Sequence, residues 1–94
     1  MLRVLTANLY NGGADPSAFG QLLDRVDPDV VAAQELSSEL ADVIGARFDH
    51  GLLAPSDDYK GMGLVSRSPL AVERVSLPHR DAFVGSNGVT VWCV

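Results

Sequence analysis

Asp29-Val30-Val31-Ala32-Ala33-Gln34-Glu35 is the stretch that decides the fold, and a similar apolar run, Val4-Leu5-Thr6-Ala7-Asn8, precedes it in the chain. Adjacent valines in a continuous apolar run are typical of a strand that is covered on both faces, as in parallel sheets. A helix-like stretch separates the runs, which predicts two parallel strands joined by a crossover helix. The carboxyl ends of such strands meet at one edge of the sheet, where open α/β sheets bind ligands. Asn8 and Glu35 are therefore expected to lie side by side there.

The segment between the two runs carries the signals of a turn and a helix. Asn11-Gly12-Gly13 predicts a turn after Asn8, because these residues tolerate positive φ. Asp15 is expected to cap a helix whose first residue is Pro16. Its apolar stripe repeats at i, i+3, i+4 and i+7, with Phe19, Leu22, Leu23 and Val26. Asp27-Pro28 should end this helix, because proline disfavours helical geometry in the residue before it.

Shorter elements are predicted after Glu35. Ser37 or Ser38 caps a second helix, and Gly45 closes it in the left-handed conformation. Polar residues over 54–61 indicate a loop, and Gly85-Ser86-Asn87-Gly88 indicates a turn. The alternation near Glu73 slips, as it would at a bulge or in an edge strand. Strands are expected over Phe48–Leu53 at an edge, Met62–Ser66, Leu70–Leu77 and Val89–Val94.

Composition limits the classes of protein to which the chain can belong. Its 94 residues are 47% hydrophobic, which predicts one globular domain, and its net charge of −5 argues against packaging nucleic acid. That charge does not exclude a metal-dependent enzyme acting on phosphate. The single cysteine, Cys93, is expected to be a buried, inert thiol. No secretory signal and no transmembrane segment are seen in the sequence, so we expect a soluble, cytoplasmic protein.

The two strand-end residues suit a hard cation. An amide oxygen from Asn8 and a carboxylate from Glu35 are the kind of ligands that Mg²⁺ prefers. Each also has a simpler interpretation. Glu35 can be a solvated carboxylate near the start of the next helix, and Asn8 can stabilise the junction of strand and turn. Gln34 is expected to form local hydrogen bonds.

Three ordered motifs resemble those of the endonuclease/exonuclease/phosphatase superfamily, which includes AP endonucleases, pancreatic-type DNases, inositol polyphosphate phosphatases and neutral sphingomyelinases. Thr6-Ala7-Asn8-Leu9 resembles the opening strand that ends in Asn, and Pro28–Glu35 resembles the acidic motif that ends in Gln-Glu. Gly61–Leu70 resembles the later glycine-led strand with its Ser-Arg-x-Pro turn. The resemblance covers most of the chain.

The resemblance implies a fold and a chemistry. The fold is α/β, the N-terminal half of a four-layer α/β sandwich in which two mostly antiparallel sheets pack together with helices outside. Residues 1–94 would form a single partial domain, truncated in its final apolar strand. The implied function is a Mg²⁺- or Mn²⁺-dependent hydrolase of phosphodiester or phosphomonoester bonds, with Glu35 as metal ligand and Asn8 contacting the metal or the scissile phosphate. Nucleic acid, inositol phosphate and phospholipid stay open as substrates, and no substrate-binding residue is assigned.

The resemblance also implies what these 94 residues lack. Family members use a later His, an Asp-x-Asn motif and a terminal Asp-His pair, and His50 and His79 do not lie in those contexts. We therefore expect the 94 residues alone to be inactive. An alternative is a small noncatalytic α/β interaction module that pairs with a partner, or with a second copy, through its exposed last strand.

Overall fold

A computed structural model describes residues 2–77, 81–86 and 90–94. Two helices, α1 (Pro16–Val26) and α2 (Ser38–Gly45), accompany the strands. The seven strands are β1 (Val4–Asn8), β2 (Val30–Gln34), β3 (His50–Ala54), β4 (Met62–Ser66), β5 (Ala71–Ser76), β6 (Asp81–Ser86) and β7 (Thr90–Cys93). The first sheet has the order β1-β2-β4-β3 and the second the order β5-β6-β7. Among the strand pairs that the described residues form, only β1/β2 is parallel.

The central strand β2 separates two hydrophobic layers. Because successive side chains of a strand point to opposite faces, Val31 and Ala33 face the helices while Val30 and Ala32 face the second sheet. Phe19, Leu23, Leu40 and Ile44 fill the helical side, and Leu64, Phe83 and Cys93 fill the space between the sheets. The described residues thus form three layers, helices on sheet on sheet. The prediction of packed, mostly antiparallel sheets with helices outside is confirmed.

Helix α1 begins and ends where its sequence predicts. The Oδ2 atom of Asp15 accepts a hydrogen bond from the backbone N–H of Ala18 at 3.0 Å, and Pro16 is the first helical residue. The helix ends at Asp27, whose backbone turns to φ 54° and donates its N–H to the Leu23 carbonyl. This turn directs the chain into β2 beside β1.

Helix α2 is capped by Ser37, one of the two predicted caps, but its other end differs from the prediction. Gly45 is the last helical residue and its φ is not positive, so the left-handed closure is wrong. The helix instead ends through Ala46, whose N–H reaches Asp42, and through Arg47, whose N–H reaches the Ile44 carbonyl at 2.9 Å. These bonds bring Phe48 into the core, where it is 6% exposed.

The second sheet contains a strand that the sequence did not predict. Gly85 and Ser86 belong to β6 rather than to a turn, while Asn87 and Gly88 lie outside the described residues. Gly85 faces the interior, where an added Cβ would come within 3.0 Å of the Leu64 and Leu70 side chains. Strand β5 keeps an unbroken register with β6, so the slip near Glu73 reflects an edge strand and not a bulge.

Candidate metal-binding cleft

The parallel pairing of β1 and β2 brings the two predicted ligands to the same place. Asn8 lies opposite Gln34 in the register, and Glu35 is the next residue along the chain. Asn8 and Glu35 both line an open cleft of about 910 Å³. Three walls enclose it: the strand ends of the first sheet, the loop over residues 54–61, and part of the second sheet. The predicted meeting of the two residues at one rim is thus seen in the backbone register and in the cleft lining.

The backbone of Glu35 adopts a conformation that is unusual for a residue with a side chain. Its φ is 52°, in the left-handed region, where a non-glycine residue requires support from its surroundings. The Glu35 carbonyl accepts the N–H of Asn11 at 2.9 Å, and the next N–H, from the buried Leu36, donates to the Gly61 carbonyl at 3.0 Å. These bonds hold the turn that ends β2. The carboxylate has no hydrogen-bond or ion-pair partner among the described residues, so it is available to a ligand.

The side chain of Asn8 is oriented by the short 3₁₀ turn at Tyr10–Gly12 that follows β1. Its Oδ1 accepts the backbone N–H of Tyr10 at 3.0 Å, which assigns the oxygen to that side of the amide. This bond fits the simpler role at the junction of strand and turn. It also leaves one lone pair on Oδ1 and the two Nδ2 hydrogens, which can meet a cation or a phosphate oxygen.

Asn11 connects three parts of the cleft and was not singled out by sequence reasoning. Its backbone N–H holds the Glu35 carbonyl, and its Nδ2 donates to the Asp57 carbonyl at 2.8 Å. Its φ of 51° is one that asparagine tolerates better than most residues. Its Oδ1 is buried without a partner among the described residues. The Asn-Gly-Gly pattern predicts the turn, but contact with residue 57 depends on a loop 46 positions away.

Several polar residues near the motifs have structural roles. The Nε2 of Gln34 donates to Thr6 Oγ1 at 3.3 Å, in keeping with the predicted local bonding. Arg67 donates to the Pro28 carbonyl at 2.8 Å, pairs with Asp27 and lies over the Phe48 ring. Arg67 therefore ties the β4 end to the loop before β2. Cys93 is buried, and this burial raises the pKa of its thiol, as expected of an inert cysteine.

His50 lies away from the cleft. It begins β3 opposite Ser66, whereas the cleft is lined by Ala54 and Met62 at the other end of the same pair. Four residues of strand separate the two positions, about 13 Å. His50 is thus poorly placed to act on a group bound between Asn8 and Glu35.

The donor set of the cleft can be compared with what a cation requires. Among the described residues, no group of three or more His, Cys, Asp and Glu side chains could hold a metal ion together. The set at the rim, one carboxylate with an amide oxygen, is made of hard oxygen donors. It fits Mg²⁺, which commonly binds through one or two carboxylates and keeps several waters.

Comparison with known proteins identifies the family. The model of the endonuclease/exonuclease/phosphatase family matches residues 5–93. The chain belongs to this family. No curated protein and no solved structure matches it significantly.

Membership of the endonuclease/exonuclease/phosphatase family confirms the resemblance seen in the three motifs, and the family is generally hydrolytic. The roles of Asn8 and Glu35 stay predictions. No helix among the described residues is long and apolar enough to cross a bilayer. The cleft also contains Asp58, Lys60 and Arg74, charged residues that lie outside the three family motifs.

Proposed function

We propose that this chain supplies the metal-binding part of a Mg²⁺-dependent phosphoesterase that hydrolyses phosphodiester or phosphomonoester bonds. The observation that carries the proposal is the position of Glu35. In a chain of a generally hydrolytic family, a carboxylate that has no partner within residues 2–77, 81–86 and 90–94 stands at the rim of an open cleft beside Asn8. Mn²⁺ has similar preferences for oxygen ligands and is the expected substitute for Mg²⁺.

Glu35 and Asn8 would have different roles at the rim. The Glu35 carboxylate would hold the cation, which when bound supplies Lewis-acid stabilisation of charge on the phosphoryl oxygens. Asn8 would contact the same cation through Oδ1 or donate an Nδ2 hydrogen to a phosphate oxygen. Because Tyr10 fixes one lone pair of Oδ1, the amide is oriented before substrate arrives. Such fixed dipoles stabilise developing charge without reorganisation.

Among the described residues, His50 and Asp58 are poorly suited to orient water or to assist the leaving oxygen. His50 lies at the other end of its strand, and the Asp58 carboxylate is engaged by the Ser56 hydroxyl, which holds the pKa of Asp58 below its ordinary value. Asp58 therefore stays ionised and accepts hydrogen bonds rather than delivering a proton. The 94 residues alone are proposed to bind the cation without turning over a substrate.

The proposed function is tested by hydrolysis assays of the protein at the length that its gene encodes. Plasmid DNA, an AP-site oligonucleotide, an inositol phosphate and sphingomyelin would each be incubated with Mg²⁺ or with EDTA. We expect Mg²⁺-dependent hydrolysis of at least one, with kcat lowered about 10²- to 10³-fold in Glu35→Gln. Glu39→Gln, at an exposed position of α2, is the matched charge control. Absence of metal-dependent hydrolysis on all four substrates would contradict the proposal.

A second candidate, a noncatalytic module that pairs through its last strand, is favoured by one observation. Among the described strands, β7 pairs with β6 alone, and its described residues carry no charge and no proline that would protect the other edge. Trp92 on this strand is 56% exposed. An unprotected strand edge can add a strand from a second copy of the chain.

This candidate predicts a dimer of the 94-residue chain. Size-exclusion chromatography with light scattering should then give twice the monomer mass, and Thr90→Lys, which places a charge at an exposed position of β7, should return it to the monomer. Thr6→Lys, at the exposed outer strand of the first sheet, is the matched control. A well-folded monomer at all concentrations would exclude association through β7.

A further inference from the structure

The cleft contains two cationic side chains on walls other than the rim of Asn8 and Glu35. Arg74 comes from β5 of the second sheet, and Lys60 comes from the loop before β4. The same cleft is also lined by the carboxylates of Glu35, Asp58 and Asp81, so the position of a cation alone does not show that it binds an anion. The surroundings of the two cations show which of them is organised for a ligand.

Arg74 is held on two sides. Its Cζ lies 5.3 Å from the centre of the Phe83 ring, within the range of a cation–π contact, and Phe83 is 1% exposed and cannot move away. Its Nε lies 3.8 Å from the Asp81 carboxylate. The side chain still keeps 53% of its surface exposed. The guanidinium is thus positioned while remaining accessible from the cleft.

The donors of Arg74 are only partly used. Asp81 approaches Nε, whereas the terminal nitrogens have no hydrogen-bond partner among the described residues. A planar guanidinium with free terminal N–H groups matches the geometry of phosphate oxygens. Other arginines are committed elsewhere: Arg47 to Asp24, and Arg67 to Asp27 and Pro28.

Lys60 adds a second positive charge from the neighbouring wall. Its backbone N–H donates to Asp58 Oδ1 at 3.3 Å, which fixes the loop beneath it. The ammonium has no ion pair within 4 Å among the described residues. A flexible ammonium of this kind can follow a bound anion as a point charge.

We propose that Arg74, assisted by Lys60, binds a phosphate group of the substrate at the two walls of the cleft that lie apart from the strand-end rim. The site takes a phosphoester anion, and Arg74 is the residue that recognises it. The inference rests on the proposed function, because it names the groups that would hold the substrate of the same cleft. It does not require the cation, because both residues lie on walls other than the one that carries Glu35.

The test measures anion binding to the 94-residue chain in the absence of metal. NMR titrations are carried out with phenyl phosphate and, separately, with diethyl phosphate. Arg74→Gln should weaken binding of the preferred anion about tenfold, while Arg74→Lys should recover part of it. Arg25→Gln, an exposed arginine of α1 outside the cleft lining, is the matched charge control and should bind as the unmodified chain does. Tighter binding of phenyl phosphate would indicate a site for phosphomonoesters, and tighter binding of diethyl phosphate would indicate a site for phosphodiesters.

Two outcomes would overturn the inference: equal loss of binding in Arg74→Gln and Arg25→Gln, or no loss in Arg74→Gln. A parallel Mn²⁺ titration keeps this result separate from the proposed function. The phosphate site alone is contradicted if Arg74→Gln binds both Mn²⁺ and the anion normally while Glu35→Gln loses Mn²⁺ binding. If Glu35→Gln binds Mn²⁺ as tightly as the unmodified chain does, and Arg74→Gln loses anion binding, the metal site is contradicted and the phosphate site is not. Circular dichroism of each variant confirms that the exposed substitution leaves the fold intact.

Discussion

Replacing Glu35 with glutamine is expected to weaken Mn²⁺ binding to this chain by about 100-fold. The carboxylate at the rim has no hydrogen-bond or ion-pair partner in the part of the chain that the structure describes, so its charge is available to a cation. Glutamine keeps the size and one oxygen of the side chain but loses that charge. Since Asn8 contributes only a neutral oxygen, no other described group at the rim replaces it.

Calorimetric titration with MnCl₂ measures this effect, and Glu39→Gln serves as the control. Glu39 lies exposed in the first turn of α2, so its removal changes the net charge equally without touching the cleft. We expect the Glu39 variant to bind Mn²⁺ as the unmodified chain does. Equal affinities in the Glu35 and Glu39 variants would mean that Glu35 is a solvated carboxylate of the strand–helix turn.

Replacing Gly61 with alanine is expected to destabilise the fold by about 3 kcal/mol. A Cβ at this position would lie 2.0 Å from the Leu36 carbonyl oxygen and 2.7 Å from the Ser56 nitrogen. Both are backbone atoms, which cannot rotate away as a side chain could. The φ of Gly61 is not positive, so the position requires space rather than an unusual conformation.

The clash would also disturb the cleft. Gly61 accepts the N–H of Leu36, and the Leu36 carbonyl in turn accepts the N–H of Ser56 at 3.0 Å. These bonds join the turn after Glu35 to the loop that forms the second wall. We therefore expect Gly61→Ala to weaken Mn²⁺ binding as well as stability, even under conditions where the chain remains folded.

Urea unfolding followed by circular dichroism measures the loss, with Gly45→Ala as the matched control. At Gly45 a Cβ meets only the Leu53 side chain at 3.4 Å, an ordinary contact, and the residue is helical. Alanine there should be neutral or stabilising by up to about 1 kcal/mol. A Gly61→Ala midpoint equal to that of the unmodified chain would show that the loop is not packed as described.

The sequence was sufficient for the β1–α1–β2 unit because its signals are local. The ends of α1 are set by residues within or next to the helix, Asp15, Pro16 and Asp27. The apolar stripe of α1 indicates a helix, and the buried apolar run of β2 indicates a strand. From that unit follow the parallel pairing and the placement of Asn8 and Glu35 at one rim. Strand β4 was predicted with its observed bounds for the same reason.

The rest of the fold depends on contacts between distant segments. Gly85 has the composition of a turn, yet it lies in β6 because Leu64 and Leu70 leave no room for a side chain. Gly45 has the composition of a left-handed cap, yet the burial of Phe48 favours another helix end. Local propensity was overridden by packing in both cases.

The second and third walls of the cleft could not be predicted from the sequence either. Arg74 faces Phe83 and Asp81 only because β5 and β6 pair in the observed register. Asn11 reaches residue 57 only because the loop over residues 54–61 folds back onto the first turn. Motifs on one sheet could predict the rim but not what faces it.

The most direct test is the crystal structure of the chain soaked in MnCl₂, with the ion located by its anomalous signal. We expect one peak at the rim, bonded to a carboxylate oxygen of Glu35, with Asn8 Oδ1 in its first coordination sphere or joined to it through one water. A peak confined to Asp57 or Asp58, or an ion that leaves Glu35 uncoordinated, would contradict the shared cation at the ends of β1 and β2.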